Sequence, residues 1–435
     1  MKVLKFGSKA IANPEKFKLA AQIAAKKGKS IIVVPAIPSI TAVLEDISDY
    51  FYKKNIESAN LAVSALAKEF EAIIHALYET RDAQEYAQKY IDDTLDYIRS
   101  FSKGLFTLFE QRAVLAQGEL ASAFLFRLIL SENKTDTAYI PALDFMRIDK
   151  NHEPDTLFIK EKLNELLAAH PSDMYITEGY ICRNFYDEID DFRQGGNDFA
   201  ASLIGAAVGA QEIQVWTDMD SMKYIDENIV PSAGAISSLG FDEAAELAYF
   251  GDKVLHPASI LPAKLANIPV RILSIFRPDD AGTLISANAE KNKIKAVAAK
   301  DNITAITVRS GKMLLAYGFL RRVAEVFERY QTPIDMLASS EVSISMTIDN
   351  TLHLSDIVDD LKKYGTVSVD SGMAIICIVG DLKCGNVQTR SKIMNALAQL
   401  PLRIISYGGS DYNFSFLIKM EDKEQTLKIL NEKLF

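Results

Sequence analysis

The chain has 435 residues, of which 49% are hydrophobic and 24% are charged, and its formal net charge is −10. This length predicts two or three domains with a sizeable core. The acidic balance argues against a nucleic-acid surface, and no apolar run approaches the roughly 20 residues that span a bilayer. The cysteines follow no metal-ligand or disulfide spacing, so no metal ligand is assigned. We expect a cytoplasmic protein without a nucleic-acid or membrane partner.

The chain opens with a pattern typical of a strand, a helix and a second strand. Residues 3–6 and 30–37 are short apolar runs, and residues 17–27 between them have helical spacing. This order favours a parallel sheet that is covered on both faces. The first strand ends in LKFGSKA, in which Gly7 breaks the apolar run two residues after Lys5. A glycine and a lysine at this point are typical of a phosphate-binding loop.

A long helical block and a second series of strands follow. Residues 42–130 contain no proline and only two glycines, and their apolar residues recur at helical spacing. Four later runs predict strands: residues 137–143, 173–181, 212–216 and 270–276. PDDAGTLI, residues 278–285, is interpreted as a turn and exit, and the basic, alanine-rich residues 291–300 as a linker.

The last 130 or so residues contain an internal repeat. The order strand, helix, strand, strand, helix, strand occurs twice, beginning at NITAITV and again at GMAIICIV. Each copy predicts a small sheet with helices on one face. Such units often pair edge to edge and bind small ligands where they meet.

The segment with the most specific chemistry is RQGGNDFAASL, residues 193–203. Gly195 and Gly196 allow close backbone approach, and Asn197 and Asp198 then begin a predicted helix. Exposed N–H groups and the helix dipole attract anions to such an N-terminus. The alternative interpretation is a tight turn in which Asp198 caps the helix.

Three further segments carry weaker signals. In WTDMDSM, Asp218 and Asp220 point the same way on an extended chain and could hold Mg²⁺ or a ribose, or form an acidic turn. Lys253 follows a glycine and on its own would be a solvated lysine. Glu119, in AQGELASAF, on its own would only mark the start of a helix.

Taken in order, these segments resemble the aspartokinases. The shared segments are LKFG, ITAVL, QGELAS, ITEGY, GGNDFAASL, VWTDMD, IVPSA, ELAYFGDKVLHP, IPVRI and AGTLI. The two tail copies resemble the paired regulatory ACT domains of that family. The resemblance implies an α/β fold, an amino-acid-kinase three-layer α/β/α sandwich followed by two ferredoxin-like ACT domains. The implied ranges are 1–290 for the kinase domain, 301–370 for the first ACT domain and 371–435 for the second.

The resemblance also implies an activity and a set of site residues. Aspartokinases use ATP and Mg²⁺ to phosphorylate the side-chain carboxylate of L-aspartate, which opens the route to lysine, methionine and threonine. Lys5 and Asp198 match the catalytic positions. The substrate positions are Thr41, Glu119, Arg193 and Gln194. The nucleotide positions are Gly7, Ser8, Gly195, Gly196, Thr217, Asp218, Lys223 and Lys253.

The sequence departs from the family pattern at both ends of the predicted active site. Ser8 stands where the family has a second glycine, and Ala10 lacks a hydroxyl. The family arginine that binds the substrate carboxylate falls at Gln194, beside Arg193. Three hypotheses remain open. The protein is a diverged aspartate kinase, an amino-acid-sensing regulatory homologue, or a kinase for another carboxylate metabolite.

An effector site is also implied by the resemblance. It comprises Met313, Gly318, Phe319, Leu320, Asp335 and Ser340, and its ligand would be an amino acid such as lysine or threonine. Asp335 would meet the ammonium group of the ligand, whereas core packing is the alternative role for Phe319 and the favoured role for Leu320. Tandem ACT domains of this type pair between chains through unpaired sheet edges, so we expect a homodimer or a dimer of dimers.

Overall fold

The computed structural model describes residues 1–193, 195–250, 255–311, 317–383 and 386–435. Their contacts form two compact units. The first comprises residues 1–222, 237–241 and 255–289, and the second comprises residues 223–236, 242–250 and 290–435. The range 1–290 that the resemblance implies for the kinase domain therefore contains two segments that pack with the tail.

The strands of the first 290 residues were mostly predicted from their apolar runs. They are β1 (Lys2–Phe6), β2 (Ser30–Val34), β3 (Ala138–Tyr139), β4 (Met174–Glu178), β5 (Ile181–Arg183), β6 (Ile189–Asp191), β7 (Ile213–Thr217), β8 (Ser238–Leu239), β9 (Val270–Ser274) and β10 (Thr283–Ile285). Among the described residues, eight of these strands form one sheet in the order β3-β4-β2-β1-β7-β9-β10-β8. The pairings from β3 to β9 are parallel, and β10 is antiparallel to β9. The predicted exit at residues 278–285 thus ends in a strand, because β10 extends the sheet beyond β9.

The helices of the same region follow the predicted block and the segments after it. They are α1 (Pro14–Ala25), α2 (Pro38–Tyr52), α3 (Ile56–Leu77), α4 (Arg81–Ser100), α5 (Leu108–Glu132), α6 (Ala142–Phe145), α7 (Thr156–Ala169), α8 (Gly196–Val208), α9 (Phe241–Phe250) and α10 (Pro257–Leu265). The starts of α1 and α5 follow from local chemistry. Asn13 accepts a hydrogen bond from the Lys16 amide before α1, and Thr107 and Glu110 form a capping box at α5.

The alternation of side chains in the strands makes the first unit a layered α/β structure. Leu4 and Phe6 of β1 belong to one core cluster with residues of α1 to α5, including Phe126. The intervening Val3 is also fully buried, and α8 packs against β1. Because neighbouring side chains of a strand point to opposite faces, helices cover both faces of the sheet. The predicted fold class is confirmed.

The second unit contains the repeat. Its later elements are β11 (Ile294–Arg309), α11 (Phe319–Arg329), β12 (Met336–Ser339), β13 (Ser343–Ile348), α12 (Leu354–Leu361), β14 (Thr366–Gly380), α13 (Val387–Leu397), β15 (Ile404–Tyr407), β16 (Asn413–Lys419) and α14 (Lys423–Leu434). Within the described residues they form one six-stranded sheet in the order β12-β13-β11-β14-β16-β15. Two separate core clusters, one for each copy, pack against it.

The two long strands β11 and β14 join the copies. The end of β11 pairs with β13 and with the start of β14, while its beginning pairs with the end of β14. Residues 294–300, part of the predicted linker, are therefore strand, because their apolar residues complete the sheet of the second copy. The boundaries drawn at residues 301 and 371 both fall inside these strands.

The two earlier segments join the second unit through specific contacts. Ile225 and Val230 belong to the core cluster of the second copy, and the Val297 amide donates to the Tyr224 carbonyl at 2.6 Å. On α9, Glu246 accepts a hydrogen bond from Asn413 at 2.6 Å. These contacts explain why residues 223–236 and 242–250 separate from the rest of the range 1–290.

Candidate active site

The site lies at the carboxyl edge of the parallel strands in the first unit. Lys5, Gly7, Gly179 and Thr217 lie at or just beyond the ends of β1, β4 and β7. The carboxyl ends of parallel strands meet at one edge, which is where open α/β sheets bind ligands. A cavity of about 500 Å³ opens there, and its lining includes Ser8, Thr41, Glu119, Tyr180 and Asn197.

Lys5 and Asp198 form an ion pair beside this cavity. Lys5 Nζ lies 2.5 Å from Asp198 Oδ1, and their side chains are only 9% and 15% exposed. The helix α8 begins at Gly196 with Gly195 as its N-cap, so Asp198 does not cap it as the alternative interpretation held. Instead the Asp198 side chain reaches across to β1. The structure thus brings together the two residues that the resemblance implies are catalytic.

The glycine pair has the backbone conformation that the sequence suggested. Gly195 and Gly196 have φ angles of +75° and +49°. A Cβ at Gly195 would also lie 3.0 Å from the Phe199 Cβ. A side chain at either position would strain the backbone, so this turn favours glycine. The turn places the first amides of α8 at the same edge as Lys5, an arrangement suited to a phosphate group.

Glu119 lies inside α5, not at its start. The helix begins eleven residues earlier at Leu108 and continues through Gly118, where a Cβ would lie 3.2 Å from Leu44 and 3.3 Å from Ala36. Glu119 Oε2 accepts hydrogen bonds from the amides of Tyr180, at 2.7 Å, and Gly179, at 3.3 Å, and Oε1 accepts one from Asn197 Nδ2 at 2.8 Å. Burial raises the pKa of Glu119 to about 7, although these donors oppose the shift.

Arg112 is a site residue that the sequence interpretation missed. It lines the cavity, and its Nη1 donates to Asp190 Oδ2 at 2.6 Å. The Arg112 side chain is 10% exposed, the Asp190 side chain is fully buried, and Asp191 Oδ2 lies 4.0 Å from Arg112 Nε. A sequence signal existed, because Arg112 precedes Glu119 by seven residues and therefore shares its helix face.

The remaining predicted substrate residues differ in their positions relative to the cavity. Thr41 lines the cavity and its hydroxyl donates weakly to the Ile37 carbonyl at 3.4 Å. Arg193 is exposed and is not among the described residues that line the cavity. Gln194 lies outside the described residues. The role of Arg193 in substrate binding therefore stays a prediction.

The predicted nucleotide residues next to β1 and β7 are engaged in local contacts. The Gly7 amide donates to the Trp216 carbonyl at 2.7 Å, and the exposed Ser8 begins a short 3₁₀ helix. Thr217 ends β7, and Asp218 pairs with Lys16 at 3.0 Å.

Asp220 instead pairs with Arg277, also at 3.0 Å. The expectation that Asp218 and Asp220 point the same way fails, because the strand ends at Thr217 and the chain bends.

Two predicted nucleotide residues cannot be placed in this site. Lys223 belongs to the second unit, where it lies 3.9 Å from Glu227. Lys253 lies outside the described residues. Their roles stay predictions.

The predicted effector residues lie in the second unit. Gly318 caps α11 with a left-handed φ of +76°, Phe319 is buried in the core of the first copy, and Leu320 is half exposed. Core packing therefore explains Phe319 but not Leu320, which the sequence interpretation had favoured for the core. Met313 lies outside the described residues.

Asp335 and Ser340 flank the strand β12. Asp335 Oδ1 accepts from Lys300 Nζ at 2.6 Å and from the Tyr249 hydroxyl at 3.0 Å, and its side chain is 1% exposed. Lys300 also reaches Asp349 at 2.8 Å. Ser340 is exposed and hydrogen-bonds Ser343. The Lys300 ammonium thus already pairs with the Asp335 carboxylate, which was predicted to bind the ammonium group of an effector.

One helix of the described residues, α5, is long and apolar enough to cross a membrane by length and composition. Its most apolar window is 61% buried within the fold, where it contacts β2 and β4. This placement matches the core helix of a globular domain.

Comparisons with known proteins agree with this architecture. Residues 1–274 match the amino acid kinase family, and residues 376–434 match an ACT domain. The lysine-sensitive aspartokinase 3 of Escherichia coli is 31% identical over 335 residues, which cover 74% of this chain and 75% of that protein. The chloroplastic aspartokinase 2 of Arabidopsis thaliana is 35% identical over 60% of this chain, and the match spans about half, 51%, of that protein.

Solved structures agree over the full length. The crystal structure of Escherichia coli aspartokinase III with lysine and aspartate, in the T-state, superposes with a TM-score of 0.82 at 27% identity and covers 100% of this chain and 99% of that one. The same enzyme with aspartate and ADP, in the R-state, gives a TM-score of 0.79, again at 27% identity and with 100% of both chains covered. With the family model matching more than half of its length, the chain belongs to the amino acid kinase family and, within it, to the aspartokinases.

Proposed function

We propose that the protein transfers the γ-phosphoryl group of ATP to the side-chain carboxylate of L-aspartate, giving 4-phospho-L-aspartate and ADP. The observation that carries this proposal is the Lys5–Asp198 pair at the sheet edge, beside a cavity in which three N–H groups hold Glu119. The E. coli relative, whose solved structures contain aspartate, ADP and lysine, supports the choice of substrates.

The reaction requires alignment of the two reactants and neutralisation of phosphate charge more than it requires proton transfer. The attacking carboxylate is already ionised at neutral pH, so one of its oxygens forms a bond to the γ-phosphorus while the bond to the leaving ADP oxygen breaks. Lys5 would offset the negative charge on the phosphates, and Asp198 fixes the direction of its ammonium group. The amides at the start of α8 would donate hydrogen bonds to phosphate oxygens.

The residues of this site fit a Mg²⁺ ion that binds together with the nucleotide. In the described parts of the chain, no cluster of three or more His, Cys, Asp or Glu side chains is arranged to hold a metal ion. Mg²⁺ commonly keeps several waters and binds through substrate phosphates and one or two carboxylates. It would neutralise phosphate charge, with Asp198 and Asp218 as the nearby acids at this edge.

The second unit supports amino-acid feedback. Asp335 and the helix start at Gly318 lie in the copy that the resemblance assigns to the effector, and the E. coli relative is named lysine-sensitive. Lysine or threonine is the proposed effector. The edge strands β12 and β15 of the described sheet support pairing between two chains, so we propose a homodimer or a dimer of dimers in the cytoplasm.

A coupled ADP-release assay with Mg·ATP tests the function. L-aspartate should stimulate ADP release, and hydroxylamine should trap the acyl phosphate as a hydroxamate. Release that depends on a different carboxylic acid would replace aspartate as the substrate. Binding of an amino acid with no turnover of any acid would instead favour a sensing subunit, and the kinase proposal would then be wrong.

A further inference from the structure

The cavity of the first unit contains an excess of acidic groups. Its described lining includes Glu45, Glu119, Asp190 and Asp191, and Arg112 is the one cationic side chain among those described residues. An amino-acid substrate of this enzyme has an α-carboxylate in addition to the carboxylate that reacts. That second carboxylate needs a positive partner, since burying it among acids without one would be unfavourable.

On the basis of the proposed aspartate kinase function, we propose that Arg112 binds the α-carboxylate of the amino-acid substrate and determines specificity for it. The residue takes the place of the arginine that the family pattern has at Gln194. Arg193, the neighbouring arginine, is exposed and is not among the described residues that line the cavity, although its charge acts on Asp191, which does line it.

The position of Arg112 on its helix suits this role. Arg112 and Glu119 lie seven residues apart on α5, so they share one face and their Cα atoms are separated by about 10 Å along the helix axis. Both side chains line the same cavity. The ammonium and carboxylate groups on the α-carbon of an amino acid could therefore contact Glu119 and Arg112 together.

Asp190 holds the guanidinium in place without using all of its donors. Arg112 Nη1 donates to Asp190, and the guanidinium has five N–H groups in total. Asp190 lies on β6 and is fully buried, so one edge of the planar group is fixed. Asp191 Oδ2 lies 4.0 Å from Arg112 Nε, and among the described residues Asp190 is the hydrogen-bond partner of this guanidinium. A guanidinium that is fixed in this way and has N–H groups to spare can bind a carboxylate in a bidentate manner.

The first test is the Arg112→Gln variant in steady-state kinetics. We expect the KM for L-aspartate to rise by about a hundredfold, the effect of losing a charged hydrogen-bonded contact, while the KM for ATP changes little. Arg127→Gln, which removes an exposed arginine of the same helix, is the matched control and should leave both values unchanged.

A double variant distinguishes substrate binding by Arg112 from a purely structural role of its ion pair with Asp190. Arg112→Gln leaves Asp190 buried without its partner, whereas Arg112→Gln combined with Asp190→Asn restores a neutral, hydrogen-bonding pair. If Arg112 binds substrate, the double variant regains thermal stability but keeps the raised KM. Recovery of the KM in the double variant would overturn the proposal.

A substrate analogue identifies the group that is recognised. The α-amide of L-aspartate keeps the reacting carboxylate but is neutral at the α-position. The wild-type enzyme should prefer L-aspartate to this amide by about a hundredfold, and Arg112→Gln should lose most of this preference. An undiminished preference in Arg112→Gln, or its loss in Arg193→Gln instead, would show that Arg112 is not the recognising residue.

If the wild-type protein does not turn over aspartate, the proposed function fails but Arg112 is still tested. Calorimetric titration of L-aspartate then replaces the KM. Binding that Arg112→Gln abolishes and Arg127→Gln preserves would support the assignment. Equal binding by the wild type and Arg112→Gln, or no binding at all, would overturn it.

Discussion

Each of the two units buries a lysine–aspartate pair where a ligand is predicted to bind. In the first unit, Lys5 and Asp198 are 2.5 Å apart beside a cavity of about 500 Å³. In the second, Lys300 and Asp335 are 2.6 Å apart, and Lys300 also reaches Asp349 at 2.8 Å. The first pair adjoins Asn197, which lines the cavity, whereas one oxygen of Asp335 in the second pair already accepts hydrogen bonds from Lys300 and Tyr249.

The two pairs differ in the protein groups with which an incoming ligand must compete. A phosphate that approaches Lys5 would add a second anion to an ammonium group that already pairs with Asp198 and whose side chain is 9% exposed. An effector ammonium that approaches Asp335 must compete with Lys300 and with the Tyr249 hydroxyl, which donates to the same oxygen at 3.0 Å. The same two residue types thus differ in their internal partners: Lys300 contacts two carboxylates, and one oxygen of Asp335 accepts from two donors of the chain.

The largest effect is expected when the first pair is broken. Lys5→Met should reduce aspartate-dependent ADP release by at least about a hundredfold, because a preorganised charge at the phosphates is lost. It should also lower the free energy of unfolding by about 3–5 kcal/mol, since Asp198 remains buried without a partner. Kinetics and denaturant unfolding measure the two effects.

The control for Lys5→Met is an exposed pair. Lys53 and Asp49 lie 2.5 Å apart with side chains 65% and 55% exposed. Lys53→Met should leave both stability and turnover nearly unchanged, because solvent screens an exposed ion pair. Wild-type turnover in Lys5→Met would refute the role of the first pair.

The sequence predicted most strands and the glycine turn of the first unit, but it did not predict which charged residues form ion pairs. Apolar periodicity predicted β1, β2, β4, β7 and β9, because a buried parallel strand is nearly all apolar. The glycine pair and Asp198 were also identifiable, since their residue types are specific to a helix start that meets an anion. Arg112 was missed because its partner Asp190 is 78 positions away on a hairpin.

In the second unit the limits lay in long-range pairing. The basic, alanine-rich composition of residues 291–300 suggested a linker, yet Ala296 and Val297 are buried because β14 pairs with them. Lys300 could not be recognised as the partner of Asp335 from spacing alone. Local composition does not reveal a strand whose stability comes from a partner about eighty residues later.

Next in size is a pH effect at Glu119 of the first site; at the second site, burial likewise raises the pKa of the Asp335 carboxyl. Burial raises the pKa of Glu119 from 4.5 to about 7, so the folded protein binds its proton more tightly than the unfolded chain does. The resulting stabilisation is complete below about pH 4.5 and is lost as the pH rises through about 7. At the second site, burial acts to lower the pKa of Lys300, but hydrogen bonds to Asp335 and Asp349 outweigh it and raise the value above 10.5.

The Glu119→Gln variant tests whether Glu119 has a raised pKa, since the side-chain amide of glutamine does not titrate. Relative to wild type, its free energy of unfolding should rise by about 2–3 kcal/mol between about pH 5 and pH 8. Asn197 can turn its amide to match, because its Oδ1 has no hydrogen-bond partner. Denaturant unfolding at several pH values gives the measurement, and a difference that stays flat with pH would contradict the raised pKa.

A smaller effect is expected from opening the second pair. Lys300→Met removes the internal ammonium, so free lysine should raise the melting temperature of this variant by a few degrees more than that of the wild type. Asp335→Ala should abolish the lysine-dependent shift in either background. Thermal unfolding with and without lysine measures this, and an equal shift in the wild type and Asp335→Ala would show that the effector binds elsewhere.

The smallest effect separates the two contacts that Tyr249 makes. Its hydroxyl donates to Asp335, and Lys300 Nζ lies 4.8 Å from the centre of its ring. Tyr249→Phe keeps the ring and should cost about 1 kcal/mol, the net worth of one hydrogen bond, whereas Tyr249→Leu should cost about 0.5–1 kcal/mol more through the lost cation–π contact. Combining Tyr249→Phe with Asp335→Ala in a double-mutant cycle should show that the two losses are not additive. Additive losses would mean that the hydroxyl does not stabilise the charged pair, and the closed state of the second site would then depend on Lys300 alone.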